Sequence, residues 1–195
     1  MTLHQSQDVC SPWVHRFAGL IPPQSRVLDL ACGGGRHARH LASLGHFVLA
    51  VDKDVTPMAA TQTDNITMLC IDLELSDSSS HTDWPLLADR FAGIVVTNYL
   101  HRPLMGDLLG SLSEGGVLIY ETFAKDNGLF GKPSNPDFLL MPGELLRLAS
   151  LRPNFYVLAF EDGYVGAPKS AMVQRICLMR GPLGSPESRC IDAHP

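Results

Sequence analysis

Residues 26–52 read RVLDLACGGGRHARHLASLGHFVLAVD, and this stretch decides the fold. RVLDLAC (26–32) is an apolar run of strand length, GGG (33–35) is a turn, and RHARHLASLG (36–45) follows with helical spacing. Ala38, Leu41 and Ala42 recur at i, i+3 and i+4, and Gly45 supplies the stop. HFVLAVD (46–52) is a second apolar strand ending on an acid.

The pattern extends in both directions. A short helix is expected near 11–19, and NITMLCIDL (65–73), FAGIVVTN (91–98) and GGVLIYETF (115–123) read as further strands. Leu104, Leu108, Leu109 and Leu112 mark a helix between the last two, and Pro142 opens another at GELLRLAS. Near-continuous Val, Ile and Leu in such runs means strands buried on both faces, hence a mostly parallel sheet. NFYVLAFEDGYV (154–165) and AMVQRICLMR (171–180), split by the turn-rich GAPKS, read as a hairpin at the sheet edge with the last strand antiparallel. The expected fold is α/β: a single-domain Rossmann-like unit over 1–180, with a mostly parallel seven-stranded sheet and helices on both faces. Residues 1–24 are expected to form an N-terminal helix and cover, and 125–141 a lid-like insert. The Ser-rich 74–83 reads as a solvated loop and 181–195 as a flexible tail.

Composition narrows the partners. Fifteen Lys and Arg against twenty Asp and Glu give a net charge of −5 over 195 residues, which without a basic stretch argues against bulk nucleic-acid binding. No apolar run approaches the roughly 20 residues of a spanning helix, and MTLHQSQDVC has neither a basic nor an apolar leader region. Five scattered cysteines with no CxxC pair read as reduced thiols, Cys32 and Cys70 among them as small packing residues. The expectation is a cytoplasmic protein, monomer or homodimer, without membrane contact.

The glycine turn before a helix is a ready anion site, with backbone N–H groups pointing outward. Gly33, Gly35 and Ala38 fit the dinucleotide pattern GxGxx(G/A), with Asp52 placed for a ribose hydroxyl, so a nicotinamide-dependent oxidoreductase is a rival. Asp29 inside the first strand, Asp72 ending the third, and the edge hairpin favour S-adenosylmethionine instead. VLDLACGGGRH with VLAVD and CIDL resembles the motifs of class I methyltransferases. NYLHRPLM (98–105), VLIYETFA (117–124) and FGKPSNPDFLLMPGELL (130–146) are similar to small bacterial methyltransferases described as tellurite-resistance-like. The resemblance implies S-adenosylmethionine as cofactor and S-adenosylhomocysteine as product. It implies that Asp29 orients the loop and the methionine amino group, and that Ala31, Gly33 and Gly35 give close backbone approach. Ala31 stands where the family usually has its first glycine. Asp52, followed by Lys53, would bind the ribose hydroxyls, Asp72 and Leu73 would frame adenine, and Asn98 would contact the methionine moiety. Arg36 is placed to reach the carboxylate or the substrate.

Methyl transfer from a sulfonium is an in-line displacement that needs no metal, and much of its catalysis is alignment in a dry pocket. Ligands of open α/β sheets bind at the carboxyl ends of the strands. His101 as a general base and Tyr99 are the catalytic candidates there. Arg102 either clamps an anionic substrate or pairs with a surface acid; Glu121 and Thr122 end the fifth strand. Trp13 and Phe130 either face the sulfonium through cation–π attraction or pack as ordinary core. His37 and His40 stand i, i+3 without a third ligand motif, so no metal is expected. No (D/N)PP(Y/F) and no Cys follows the fourth strand, which disfavours amide and cytosine-C5 acceptors. A small-molecule acceptor is expected, with 125–141 closing over it. A catalytically inactive cofactor-binding partner subunit is the remaining alternative.

Overall fold

A computed structural model describes residues 9–61, 63–74, 91–150 and 152–192. Strands β1 (Arg26–Leu30), β2 (Phe47–Asp52), β3 (Ile66–Cys70), β4 (Phe91–Thr97), β5 (Leu112–Phe123), β6 (Phe155–Val165) and β7 (Ala171–Arg180) form one sheet, ordered β3-β2-β1-β4-β5-β7-β6. The pairs from β3 to β5 are parallel, and β7 runs antiparallel to both β5 and β6. The expected architecture holds. The strand order reverses between β1 and β4, which opens a crevice at their carboxyl ends.

Strand periodicity divides the core. Leu28, Leu30, Ile94, Val96, Leu118 and Tyr120 pack with α3 (Met105–Ser111) and α4 (Glu144–Ser150) on one face. Val27, Ala50, Val95 and Ile119 pack with α1 (Pro12–Phe17) and α2 (Arg36–Ser43) on the other. Asp29, two residues after Val27, therefore points to the α2 face, a carboxyl in a core position. The six-residue α1 is too short to persist alone. Its Ser11 cap accepts the Trp13 N–H, and burial of Trp13, Val14 and Phe17 holds it, each worth about 1.5–3 kcal/mol.

Several local expectations are corrected. Leu112 opens β5 instead of closing α3, because its backbone is extended and it pairs with Phe91. The helix expected from Pro142 begins at Glu144, since Gly143 takes φ +69°, outside the helical region. Cys70 is exposed rather than packed, its thiol turned to the Lys53 carbonyl. Within 181–195 a short turn spans Pro186–Arg189, and the Arg16 guanidinium donates to the Ile191 carbonyl. The solvated loop expected at 74–83 lies outside the described residues apart from Glu74. No helix among the described residues is long and apolar enough to cross a membrane.

Candidate functional site

The glycine loop takes its shape from three left-handed residues, Ala31 (φ +55°), Gly33 (+52°) and Gly35 (+75°). At Ala31 an alanine bears a conformation that costs an L-residue roughly 1–2 kcal/mol. At Gly35 a Cβ would stand 2.5 Å from the Met58 methyl, so Met58 would have to shift, and the left-handed φ would strain any side chain there. Gly35 N–H donates to the Cys32 carbonyl at 2.8 Å, closing the turn.

Two carboxylates of the chain already hold this loop. Asp52 Oδ2 accepts the Gly33 N–H at 2.8 Å and its Oδ1 the Asp54 N–H at 3.1 Å. Asp29 accepts the Ala38 N–H from the first turn of α2. It is 1% exposed, and its Oδ2 has no hydrogen-bond partner. Burial pushes its carboxyl up to about 7, against the downward pull of Arg36. A buried, half-satisfied acid of this kind is suited to receive a cationic group.

Two cavities flank the loop along the carboxyl ends of the strands. The first, about 160 Å³, has an apolar floor of Leu30, Val51, Ile71 and Leu73 and a polar rim of Asp52, Lys53, Asp72 and Tyr99. Asp72 Oδ1 accepts the Glu74 N–H at 3.0 Å. The second, about 200 Å³, is lined by Arg36, Asn98, Glu121, Phe130 and Arg175 among others. Asn98 and Tyr99 are adjacent in sequence yet line different cavities, the chain turning at Asn98 with φ +55°.

The expected cofactor set gathers around these cavities: Ala31, Asp52, Lys53, Asp72 and Leu73 at the first, Arg36 and Asn98 at the second, with Asp29, Gly33 and Gly35 in the strand and loop between. The expected acceptor set divides. Glu121 and Phe130 line the second cavity, but Glu121 is engaged by Ser11 Oγ at 2.9 Å and by the Arg175 guanidinium. Tyr99 belongs to the first cavity, where burial and the nearby Glu74, Asp72 and Asp52 push its phenol well above its usual range. His101 lines neither cavity. Arg102 donates Nε to Glu144 at 2.7 Å and its Nη groups to the Asp137 and Leu139 carbonyls, so it fastens the insert instead of clamping a substrate. Trp13 is 3% exposed, packs edge-on against Phe17 and donates to the Ile176 carbonyl; it is core. Thr122 is likewise buried, 1% exposed.

His37 is neither ligand nor base. Its Nε2 accepts the Ser11 N–H and its Nδ1 faces Thr97 Oγ1, both at 3.3 Å. Burial pulls the imidazole down to about 3, so it is neutral, with the proton on Nδ1. No group of three metal-ligating side chains occurs among the described residues. Hydrogen bonds tie the insert internally and to the sheet. Asn127 donates to the Pro133 carbonyl and accepts the Met172 N–H, while at the base of the insert Lys125 N–H donates to the Leu140 carbonyl and Leu140 N–H to the Phe123 carbonyl. Sequence reasoning missed Ser11, Lys132, Lys169 and Arg175 at the second cavity. A signal for Lys169 exists: an antiparallel β7 beside β5 returns the GAPKS turn to the carboxyl edge.

No protein-family model and no curated protein matches the chain in sequence. Solved structures do match it. TehB from Haemophilus influenzae superposes with a TM-score of 0.68 at 17% identity over 91% of this chain, which spans 64% of the length of TehB. The Burkholderia thailandensis 1,6-didemethyltoxoflavin-N1-methyltransferase, bound to its substrate and S-adenosylhomocysteine, gives a TM-score of 0.60 at 18% identity, covering 87% of this chain and 76% of that one. The glycopeptide N-methyltransferase MtfA in complex with S-adenosylmethionine gives 0.58 at 17%, covering 92% and 100%. At these identities the likeness is one of architecture: the chain has the fold of class I S-adenosylmethionine-dependent methyltransferases, as the VLDLACGGGRH resemblance implies.

Proposed function

We propose that this chain is a cytoplasmic S-adenosylmethionine-dependent methyltransferase acting on a small molecule, with the cofactor laid along the carboxyl edge from Asp72 to Asn98. One observation carries the reading. The Gly33 and Ala38 amides, which a dinucleotide fold would turn to pyrophosphate, are engaged by the chain's own carboxylates Asp52 and Asp29. Two acids at this loop repel a pyrophosphate and favour a ligand that brings an ammonium and neutral hydroxyls. Asp29 Oδ2, buried and without a partner, receives the amino group, and Arg36 at the start of α2 receives the carboxylate. Asp52 takes the ribose hydroxyls, while Asp72 and the apolar floor of Leu30, Val51, Ile71 and Leu73 take adenine. Lys53 closes the rim, and Asn98, which lines the second cavity, contacts the methionine moiety.

When bound, S-adenosylmethionine supplies an electrophilic methyl group on a sulfonium. The chain's own part is to hold, orient and exclude water. The second cavity opens next to Asn98, so an acceptor seated there adjoins the methionine end. Isothermal titration with S-adenosylhomocysteine and, in parallel, NADH tests the reading. Binding of the former and not the latter is expected; binding of NADH alone overturns it.

A further inference from the structure

Within the second cavity, charge and shape point to a class of acceptor, an inference that rests on the methyltransferase reading. We infer that the cavity receives a small organic acid, its anionic group held by Lys132 and Lys169 and its apolar body by Phe123 and Phe130.

The lining carries Arg36, Lys132, Lys169 and Arg175 against a single carboxylate, Glu121. Arg175 is committed: it pairs with Glu121 and also reaches Glu161 at 3.2 Å. Arg36 stands at the loop, close enough to draw on Asp29. Lys132 and Lys169 are left lining the cavity, its one carboxylate, Glu121, being already engaged by Arg175 and Ser11. The chain as a whole carries a net charge of −5, so this local excess of cations is a feature of the cavity and not of the surface at large.

The two lysines come from separate segments that the fold brings together. Lys169 lies in the turn between β6 and β7, and Lys132 near the tip of the insert. The Lys169 ammonium stands 3.7 Å from the point a Cβ on Gly131 would occupy, so the turn and the tip meet. The frame beneath them is fixed: Asn127 ties the insert to Pro133 and to β7, and the Phe130 ring stands 5.1 Å from that of Tyr164. Two ammonium groups brought to one opening repel each other, and an anion between them relieves that repulsion. Phe123, Phe130, Val165 and Val173 supply an apolar wall beside them.

The lining also limits the chemistry. No histidine is present, and Glu121 is held by Ser11 and Arg175, so no side chain there is placed to take a proton. A nucleophile with no proton to lose fits this site, and a carboxylate oxygen is one. Its lone pair forms the new bond to the methyl carbon as the carbon–sulfur bond breaks, with that pair remaining on sulfur and no proton left to place. The resulting ester is neutral, so it loses the attraction of the lysines and leaves.

The test is calorimetry on the full chain, first with S-adenosylhomocysteine alone, then with the protein saturated by it. The probes are acetate, butyrate and 3-phenylpropionate, each beside its amide, and inorganic phosphate. Both lysines are exposed, so their pull is screened by solvent. The expected result is at least about tenfold tighter binding of butyrate or 3-phenylpropionate than of its amide, weakening as salt is added. Lys132→Gln with Lys169→Gln should bring acid binding down to that of the amide, and arginine at both positions should restore it. Equal binding of acids and amides, binding of neither, or phosphate binding as tightly as the best acid overturns the inference. Failure of S-adenosylhomocysteine to bind in the first titration overturns the cofactor reading instead, so the two failures are told apart.

Discussion

Replacing Asp29 by Asn removes a charge while keeping the size of the side chain, and the burial of that side chain sets the energetic result. Burial raises the Asp29 carboxyl from 3.8 to about 7. The folded state therefore holds more protons than the unfolded chain between those values. The contribution of the neutral acid is complete below about pH 4 and lost as pH rises through about 7. At about 1.4 kcal/mol for each tenfold in proton affinity, the ionised form costs the fold about 4 kcal/mol at pH 8. Asn retains an oxygen for the Ala38 N–H but buries an amide NH₂ beside it, a cost of about 1–3 kcal/mol. Asp29→Asn should therefore be about 1–3 kcal/mol more stable than the parent near pH 8, with no gain near pH 4. For a chain of this length that is roughly 2–12 °C in Tm. The same change should weaken S-adenosylhomocysteine binding about tenfold or more, since a charge-assisted hydrogen bond to the ammonium is lost. Calorimetric melts across the pH range, with a ligand titration of each protein, provide the assay. A Tm difference that is flat with pH, or a less stable variant near pH 8, refutes the reasoning.

Asp52→Ala removes both the partner of the Gly33 N–H and the proposed ribose acceptor, and should weaken S-adenosylhomocysteine binding by about 1.5–3 kcal/mol. Unchanged affinity in titration would take Asp52 out of the site. Gly35→Ala sets a methyl 2.5 Å from Met58 Cε at a left-handed φ, and urea unfolding should show a loss of about 1–3 kcal/mol. Arg102→Met frees the insert from Glu144 and from the carbonyls of Asp137 and Leu139. It should cost about 1–2 kcal/mol and speed amide exchange over residues 137–144. Exchange as slow as in the parent would mean that Arg102 carries none of that load.

The acids of the proposed cofactor half stand out in the sequence because each interrupts an apolar run, Asp29 inside β1, Asp52 at the end of β2 and Asp72 just after β3. The sheet order brings the carboxyl ends of these strands to one edge. Leu112 was not legible: the spacing from Leu104 through Leu109 continues through it, and only pairing with Phe91 across the sheet makes it strand. The acceptor half depends on side-chain direction and on partners far along the chain. Ser11 meets Glu121 110 residues later, and Arg102 meets Glu144 42 residues later. Nothing local marks Arg102 as a fastener or Trp13 as core. Both are polar-tipped side chains beside a strand end or helix start, and tertiary partners decide which way they turn.

Trp13 also bears on the order in which the chain takes shape during synthesis. Its indole N–H finds the Ile176 carbonyl 163 residues away, and its ring packs in the cluster that includes Ile119, Cys177 and Met179. Helix α1 leaves the ribosome long before β7, and at six residues it cannot persist unsupported in the interval. One part of its docking surface, the Ile176 carbonyl with Cys177 and Met179, exists only once β7 has slotted between β5 and β6. The native surroundings of the indole are therefore complete only when β7 is in the sheet, so its emission is expected to respond to β7 pairing and not to the β1–α2–β2 unit alone.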